Sequence, residues 1–381
     1  MKQYQKTNSL LLLSLFLMIA VADRNVFADD ELDYLSVTGP CNLTFPKDQG
    51  SHAGYRTEWW YYTGNLQVDS GEQYGYQLTF FRSQISAPGA ESKWPKPHSA
   101  WRTQQVYAGH AAISDISEKR HLQSELIARG SLGIAGVSQK ADLTTIFIKN
   151  WSAQISPSRH ILKAFSDDFS FELSLLTAKP PVLHGKAGYT RKGSTPERAS
   201  CYYSFTRLRS EGALIIDGRT IPVQGFSWMD HEFSSAPLEP GIVGWDWFSL
   251  QLSDQTEIMV YLLRKQGGEL NSASSGTFID KSGKPRHLTK DDFRIDILDS
   301  WKSPRSKAVY PARWRLMIFP LSLELTITPK LSDQEMQTQA STGVTYWEGS
   351  VSVNGLAGKQ PLKGVGYVEL TGYAKSFSAP M

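Results

Sequence analysis

One short stretch of the chain gathers most of the side chains that can do chemistry. Within twenty residues it holds three carboxylates, one imidazole and three tryptophans: Trp228, Asp230, His231, Glu232, Trp245, Asp246 and Trp247. A carboxyl group beside indole rings is poorly solvated, so its pKa rises and it stays protonated near neutral pH. Such a group can act as a general acid, and indole faces beside it can stabilise a developing cation. The pattern predicts catalytic residues among Asp230, His231, Glu232 and Asp246.

An extended backbone limits which of these side chains can act together. Successive side chains of a strand point to opposite faces, so Asp230 and Glu232 share one face and His231 takes the other. Trp245 and Trp247 are paired in the same way. A structural alternative is that Asp230 and His231 bond to each other while the tryptophans pack in a core. Because adjacent strand residues cannot converge on one ion, we predict no metal, and nothing in the sequence calls for a cofactor.

Several common enzyme motifs are incomplete. The segment Gly225-Phe226-Ser227-Trp228-Met229 begins like a nucleophile elbow but lacks the second glycine. The pair His231-Glu232 lacks the second histidine of a zincin helix. The sequence therefore disfavours a serine esterase or a metalloprotease.

A second cluster lies closer to the N-terminus. His52 precedes Glu58, which opens the aromatic run Trp59-Trp60-Tyr61-Tyr62. We predict a first strand here, with a buried Glu58 paired to either Arg82 or Arg207. The aromatic residues predicted to line a ligand site come from both halves of the chain: Trp59, Trp60, Trp228, Trp245, Trp247 and Tyr261.

Hairpins are the elements that must position these residues. Residues 57–68 and 74–82 are rich in aromatic and β-branched side chains and flank a turn that contains Asp69 and Gly71. Residues 247–252 and 257–264 repeat this plan, and each hairpin opens with tryptophans and ends on an arginine, Arg82 or Arg264. Amphipathic helices are scarce. The pattern predicts an all-β protein of two similar units, the second beginning near residue 225.

Composition narrows the classes of fold and partner. The chain has 381 residues with 11 Trp, 16 Tyr and 17 Phe, which favours a β-rich protein of two domains. A formal charge of +3 gives no reason to expect a nucleic-acid partner. The two cysteines permit a Cys41–Cys201 disulfide in an exported protein, and the alternative is two buried thiols.

The N-terminus has the features of a secretory signal. Lys2 and Lys6 precede an apolar run over residues 10–21, and small-residue cleavage sites end at Ala22 and Ala28. We predict cleavage after Ala28 and an exported protein, periplasmic or secreted, with no integral membrane segment after cleavage. The mature chain is expected to divide into domains over residues 29–224 and 225–381.

Several blocks of the sequence resemble the AttH family. The resemblance extends from about residue 50 to 375, over the segments Glu58–Leu66, Tyr76–Arg82, Ala199–Ser204, Trp228–Glu232, Gly244–Trp247, Tyr346–Gly349 and Gly366–Tyr373. Members are described as predicted secreted hydrolases and are related to the carotenoid hydratases (hydroxyneurosporene synthases). The resemblance implies two lipocalin-like, calycin-type antiparallel β-barrel domains.

The resemblance also implies where a site would lie. Asp230-His231 and the Trp245–Trp247 pair match the region in which the carotenoid hydratases carry functional residues. Glu232 and Phe233 replace an asparagine-containing loop of that branch, and Tyr261 is followed by Leu262-Leu263 rather than an acid.

Three functions remain open at this point. The first is binding of a hydrophobic lipid or isoprenoid ligand in a tryptophan-rich cleft. The second is an enzyme that adds water across an isoprenoid C=C bond, or an uncharacterised hydrolase, with Asp230 or Asp246 as the acid. The third, which follows from the family name, is an accessory protein of an ABC-type export system.

Overall fold

The chain is almost entirely antiparallel β-sheet. The structure is a computed structural model that describes residues 34–377, and the predicted signal over residues 1–28 lies outside them. Within residues 34–377 the helical elements are four 3-10 turns, Lys47–Gln49, Ala90–Lys93, Lys290–Asp292 and Phe319–Leu321. None of the described helices has the length and apolar character needed to cross a bilayer. The predicted all-β class is confirmed.

The first sheet has thirteen strands and curls into a nearly closed barrel. Its strands are β1 (Thr57–Gln67), β2 (Gln73–Gln84), β3 (Gln105–Asp115), β4 (Arg120–Arg129), β5 (Ala135–Lys140), β6 (Leu143–Ile148), β7 (Trp151–Ile155), β8 (Arg159–Phe165), β9 (Phe169–Thr177), β10 (Val182–Leu183), β11 (Tyr189–Arg191), β12 (Ala199–Ile216) and β13 (Arg219–Ser234). The pairing order is β4-β3-β2-β1-β13-β12-β9-β8-β7-β6-β5, and β10 and β11 also pair with β12.

The second sheet has ten strands and forms a half-barrel. Its strands are β14 (Ile242–Leu252), β15 (Glu257–Lys265), β16 (Ser275–Ile279), β17 (Pro285–Thr289), β18 (Phe293–Lys302), β19 (Val309–Ile318), β20 (Leu323–Pro329), β21 (Glu335–Thr338), β22 (Val344–Ala357) and β23 (Gln360–Leu370). The order is β17-β16-β15-β14-β23-β22-β20-β19-β18, and β21 pairs with β22.

The strand β13 runs through the domain boundary expected between residues 224 and 225. Because β13 pairs with β1 and β12 along its length, all of it belongs to the first sheet. The chain passes to the second sheet between Ser234 and Ile242.

Each sheet begins with a hairpin that is closed by a buried acid–arginine pair. In β1–β2, Arg82 Nε lies 2.7 Å from Glu58 Oε2. In β14–β15, Arg264 Nε lies 2.8 Å from Asp246 Oδ1. The predicted pairing of Glu58 is therefore confirmed with Arg82, whereas Arg207 pairs with Glu257.

Three apolar clusters account for most of the packing. One fills the interior of the first barrel, and one lies on the concave face of the second sheet, inside its half-barrel. The third lies between the two sheets and includes Tyr61, Tyr202, Trp228, Trp247 and Tyr261. Because side chains alternate along a strand, the same strands supply both a barrel core and this intervening layer.

Covalent and polar links tie the parts together. Cys41 and Cys201 form a disulfide with their Cα atoms 5.9 Å apart, which fixes the N-terminal segment to β12. Gln251 of β14 donates to the carbonyl oxygens of Thr206 and Ser227, at 2.8 and 2.9 Å. Burial of the third cluster and these bonds hold the two sheets in one arrangement.

The Glu58–Arg82 pair generates a stability prediction. Both side chains are buried, and Arg82 also donates to the carbonyl oxygens of His52 and Tyr55. Arg82→Met should lower the free energy of unfolding by about 3–5 kcal/mol, because it leaves a buried carboxylate without its cation. Urea denaturation followed by circular dichroism measures the change.

Arg315→Met is the matched control. Arg315 reaches Glu324 only at 3.8 Å, and both side chains are largely exposed. That change should cost less than about 1 kcal/mol. Equal losses for the two variants would show that the buried pair has no special importance.

Candidate active site

A cavity of about 440 Å³ lies between the two sheets, outside both barrel cores. Strands β1, β2, β3 and β13 form one wall, and β14, β15, β22 and β23 form the other. Most of its surface is apolar, and the large side chains that face it include Trp59, Tyr61, Phe81, Trp245, Trp247 and Leu263. Its volume and apolar lining fall within the range found for small-molecule pockets in proteins.

Asp230 is a buried carboxyl group surrounded by donors. Trp228 Nε1 donates to Oδ1 at 2.6 Å, Tyr202 OH donates to Oδ2 at 2.8 Å, and Ser204 Oγ also donates to Oδ1. Burial raises the pKa of Asp230 to about 7, although these donors favour the charged form. The group therefore changes its charge near neutral pH.

Tyr202 connects Asp230 to the aromatic wall. Trp247 Nε1, which can only donate, lies 3.0 Å from Tyr202 OH. The tyrosine hydroxyl accepts there and directs its own proton to Asp230. The bonds fix the orientation of both rings at the cavity wall.

Glu232 has a cation partner. Lys192 Nζ lies 2.7 Å from Glu232 Oε1 and 4.4 Å from the centre of the Tyr261 ring. Burial disfavours the charged form of Lys192, but the charge of Glu232, its hydrogen bond and the nearby Tyr261 and Asp230 together outweigh burial and raise the lysine pKa. The Lys192–Glu232 pair therefore has no net charge and lies at the edge of the site.

A second pair of acids faces the same cavity. Glu348 of β22 and Glu369 of β23 lie opposite each other in the strand register, and both line the cavity. Glu348 is 2% exposed, and its Oε1 has no hydrogen-bond partner among the described residues. None of the ion pairs found among residues 34–377 involves either carboxyl group.

The Glu348–Glu369 pair is neutralised by protonation rather than by a cationic side chain. Burial, reinforced by the charge of Glu369, raises the pKa of Glu348 well above its usual value. Burial raises the pKa of Glu369 to about 7. Two neighbouring carboxyl groups in an apolar site hold at least one proton between them at neutral pH, because ionising both together is unfavourable.

Glu348 and Glu369 are not among the site residues predicted from the sequence. Each acid interrupts an aromatic or apolar strand, as in Tyr346-Trp347-Glu348. Trp347 and Val368 pack inside the second sheet, so alternation turns both acids to the cavity. That interruption is the signal by which they could have been found.

A histidine on the first sheet completes this part of the wall. His110 Nδ1 lies 2.9 Å from Tyr346 OH, and its Nε2 lies 3.0 Å from Ser341 Oγ. Burial lowers the pKa of His110 to about 3, so the ring is neutral at physiological pH. It orients Tyr346 beside the carboxyl pair.

The cavity brings together some of the residues selected from the sequence. Those that line it are Asp230, Glu232, Trp59, Trp245, Trp247 and Tyr261. Trp228 lies behind them in the layer between the sheets and reaches the site through its bond to Asp230.

Three other selected residues point elsewhere. Asp246 turns into the second sheet, where Arg264 and Tyr373 bond it at 2.8 and 3.0 Å. His231 turns into the first barrel, with its Nε2 2.8 Å from Glu58 Oε1. Trp60 is buried in that barrel and donates to the Gln49 carbonyl oxygen. Asp246 and His231 therefore do not share a hollow with Asp230.

Among residues 34–377, the donor atoms of His52, Glu58 and His231 lie within 4.8 Å of one another, as a metal site would require. Both imidazoles already bond to Glu58 Oε1, at 2.7 and 2.8 Å, and Arg82 bonds to Oε2. The positive charge of the Arg82 guanidinium on the Glu58 carboxylate disfavours binding of a metal cation to the same group. We therefore assign this group to the hydrogen-bonded support of β1, β2 and β13.

Comparison with known proteins identifies similar chains. A model of the AttH-like family matches residues 36–373. The crystal structure of an AttH protein from Nitrosomonas europaea has 33% sequence identity and a TM-score of 0.78, over 89% of this chain and all of that one. No curated protein matches this chain significantly.

The fold is shared more widely. Kievitone hydratase from Nectria haematococca has 14% identity and a TM-score of 0.68, over 90% of this chain and 96% of that one. At this identity the likeness concerns the fold, which agrees with the predicted two-domain β-barrel architecture. The extent of the family match, together with the Nitrosomonas structure, establishes that this chain belongs to the AttH-like family.

Proposed function

We propose that this protein binds an apolar, unsaturated molecule of the lipid or isoprenoid class and adds water across one of its C=C bonds. The observation that carries the proposal is the Glu348–Glu369 pair, a protonated acid in an apolar cavity. Kievitone hydratase, a hydratase by name, has the same fold, which supports this class of reaction.

The buried acids favour catalysis over simple carriage of a ligand. An apolar ligand needs only apolar walls, and burial of carboxyl groups without cations costs stability. Titratable groups with strongly shifted pKa values in a cleft are typical of catalytic sites. Three carboxyl groups among the described lining residues have such raised pKa values: Asp230, Glu348 and Glu369.

We assign the proton donor to the Glu348–Glu369 pair. The π electrons of the alkene take the proton held by the Glu348–Glu369 pair, and a cation forms on the more substituted carbon. The faces of Trp245, Trp247 and Tyr61 and the negative charge left on the pair stabilise this cation, and the pair regains a proton from water after the product leaves.

We assign the water-activating role to Asp230. A water molecule beside its carboxylate attacks the cation through oxygen, and Asp230 takes the proton released from that oxygen. The donors Trp228, Tyr202 and Ser204 favour an ionised Asp230, which suits it to accept a proton rather than to supply the first one. Asp246 takes no part in this scheme because it faces the second sheet.

We also propose that the protein is exported. The Cys41–Cys201 disulfide supports this location, because such bonds persist in oxidising compartments.

The first prediction concerns a bound molecule. Protein purified from its native host and extracted under denaturing conditions should release a lipid or isoprenoid in stoichiometric amount, identified by mass spectrometry. Trp247→Ala should reduce the recovered amount, because Trp247 supplies a wall of the cavity. A protein that carries no such molecule and fails to take up added isoprenoids would contradict the binding step.

The second prediction separates catalysis from carriage. Linear isoprenoid alcohols incubated with the protein in isotopically labelled water should gain one labelled water each. Glu348→Gln and Asp230→Asn should each lower the rate by about 10²–10⁴-fold, the usual contribution of a positioned acid or base. Recovery of every substrate unchanged would leave the carrier hypothesis in place of the hydratase.

Stability provides the control for these variants. Glu348→Gln removes a buried acid that lacks a cation, so its melting temperature should equal or exceed that of the wild type. The exposed Glu324→Gln should change neither rate nor stability. Loss of folding in Glu348→Gln would assign the residue a structural role.

The scheme also fixes the pH dependence of the rate. The rate should fall on the acid side of neutrality as Asp230, with a pKa of about 7, becomes protonated. It should fall on the alkaline side as the carboxyl pair loses its shared proton. A rate that keeps rising in alkali would contradict this assignment of acid and base.

A further inference from the structure

A buried histidine outside the cavity is bonded to the site. His184 follows β10 and is fully buried. Its Nε2 lies 2.6 Å from Ser204 Oγ, and its Nδ1 lies 2.9 Å from Thr277 Oγ1. Ser204 in turn donates to Asp230. Four polar side chains thus form one unbroken chain of hydrogen bonds.

The carboxylate at one end of this hydrogen-bonded chain determines which atom donates in each of its bonds. Ser204 directs its proton to Asp230, so it must accept from His184 Nε2. In the neutral imidazole Nδ1 is then free to accept from the Thr277 hydroxyl. With Asp230 ionised, every bond in the hydrogen-bonded chain therefore points from Thr277 towards Asp230. When Asp230 is protonated, both hydroxyl groups rotate, the ring proton lies on Nδ1, and every bond points from Asp230 towards Thr277.

The outer end of the chain reaches a different hollow. Thr277 lines a surface pocket of about 380 Å³ together with His287, which lies opposite it on β17. Of the four hydrogen-bonded side chains, only Asp230 is among the described lining residues of the large cavity, and His184, Ser204 and Thr277 are not. The chain thus crosses the wall between the cavity and the outside.

The surroundings of His184 keep it neutral. Burial lowers its pKa to about 3, and the charges of Lys192 and His287 act in the same direction. The ring of Tyr202 covers one side, with the ring centres 4.3 Å apart. A ring that does not retain a second proton can accept one on one nitrogen only while releasing one from the other.

We propose that Thr277, His184 and Ser204 form a proton relay between Asp230 and water in the surface pocket. The inference rests on the proposed function, in which Asp230 must lose its proton to act as the base while an apolar molecule excludes water from the cavity. Starting from protonated Asp230, Asp230 passes its proton to Ser204, Ser204 passes its own to His184 Nε2, His184 Nδ1 passes its proton to Thr277, and Thr277 releases one to water in the surface pocket. Ser204, His184 and Thr277 keep their proton counts, the imidazole proton moves from Nδ1 to Nε2, and no electrons are transferred.

Thr277→Val tests the relay without touching the cavity. Protein in dodecane-saturated buffer is moved by stopped flow across neutral pH, and the infrared band of the Asp230 carboxyl group reports its protonation. Asp230→Asn identifies that band. The relay predicts a rate lower by roughly 100-fold in Thr277→Val, at the low end of the effect of a positioned proton carrier. The midpoint of the titration should not change.

Two further variants sharpen the result. Thr277→Ser keeps a hydroxyl group and should retain the wild-type rate. His184→Gln can still donate to Ser204 but cannot exchange protons between two nitrogens, so it should be as slow as Thr277→Val. The relay would be overturned if Thr277→Val and His184→Gln both protonated Asp230 at the wild-type rate. It would also be overturned if they shifted the midpoint of the Asp230 titration without changing that rate. Because no turnover is required, a negative hydration assay would count against the proposed function and leave the relay standing.

Discussion

The structure depends on how carboxyl groups are neutralised where two sheets meet. Two cations line the cavity among its described residues, and both are already paired: Arg82 with Glu58, and Lys192 with Glu232. Asp230, Glu348 and Glu369 face the same hollow without a cation. Full ionisation of all three in an apolar site would cost far more than the fold can supply, so protons must neutralise part of this charge.

The architecture creates this situation through strand alternation. Each strand that borders the cavity sends every second side chain into a barrel core, as Trp60 and Trp347 do. The intervening side chains have to be covered by the other sheet. The layer between the sheets is therefore rich in aromatic residues, and a carboxyl group within it meets indole and phenol rings rather than water. The Asp246–Arg264 pair supports its hairpin from behind the cavity wall, whereas the Glu58–Arg82 pair supports the other hairpin at the cavity itself.

Much of this arrangement could be predicted from the sequence, because alternation is a local property. The division of Asp230 and Glu232 from His231 and the repeated hairpins follow from it, whereas alternation does not choose between Arg82 and Arg207 as the partner of Glu58. The same rule set Asp246 opposite Trp245 and Trp247, but it did not reveal which of the two faces borders a cavity. That choice is made by the packing of one sheet on the other.

The remaining site residues depend on long-range structure. Glu348 and Glu369 become a pair only through the register of β22 and β23, and each alone looks like an ordinary strand acid. Lys192 lies beyond the short strand β11, and His184 beyond β10, so no periodicity relates them to Asp230. The Cys41–Cys201 bond likewise joins residues separated by 160 positions. Whether these two cysteines pair could therefore be predicted only from the fold.

The central claim is that the Glu348–Glu369 pair holds a proton in the resting protein at neutral pH. Infrared difference spectroscopy of wild type against Glu348→Gln and Glu369→Gln tests it directly. The account predicts a band from a protonated carboxyl group at neutral pH that both substitutions alter and that disappears in alkali. A wild-type spectrum with only ionised carboxylates at neutral pH would contradict it.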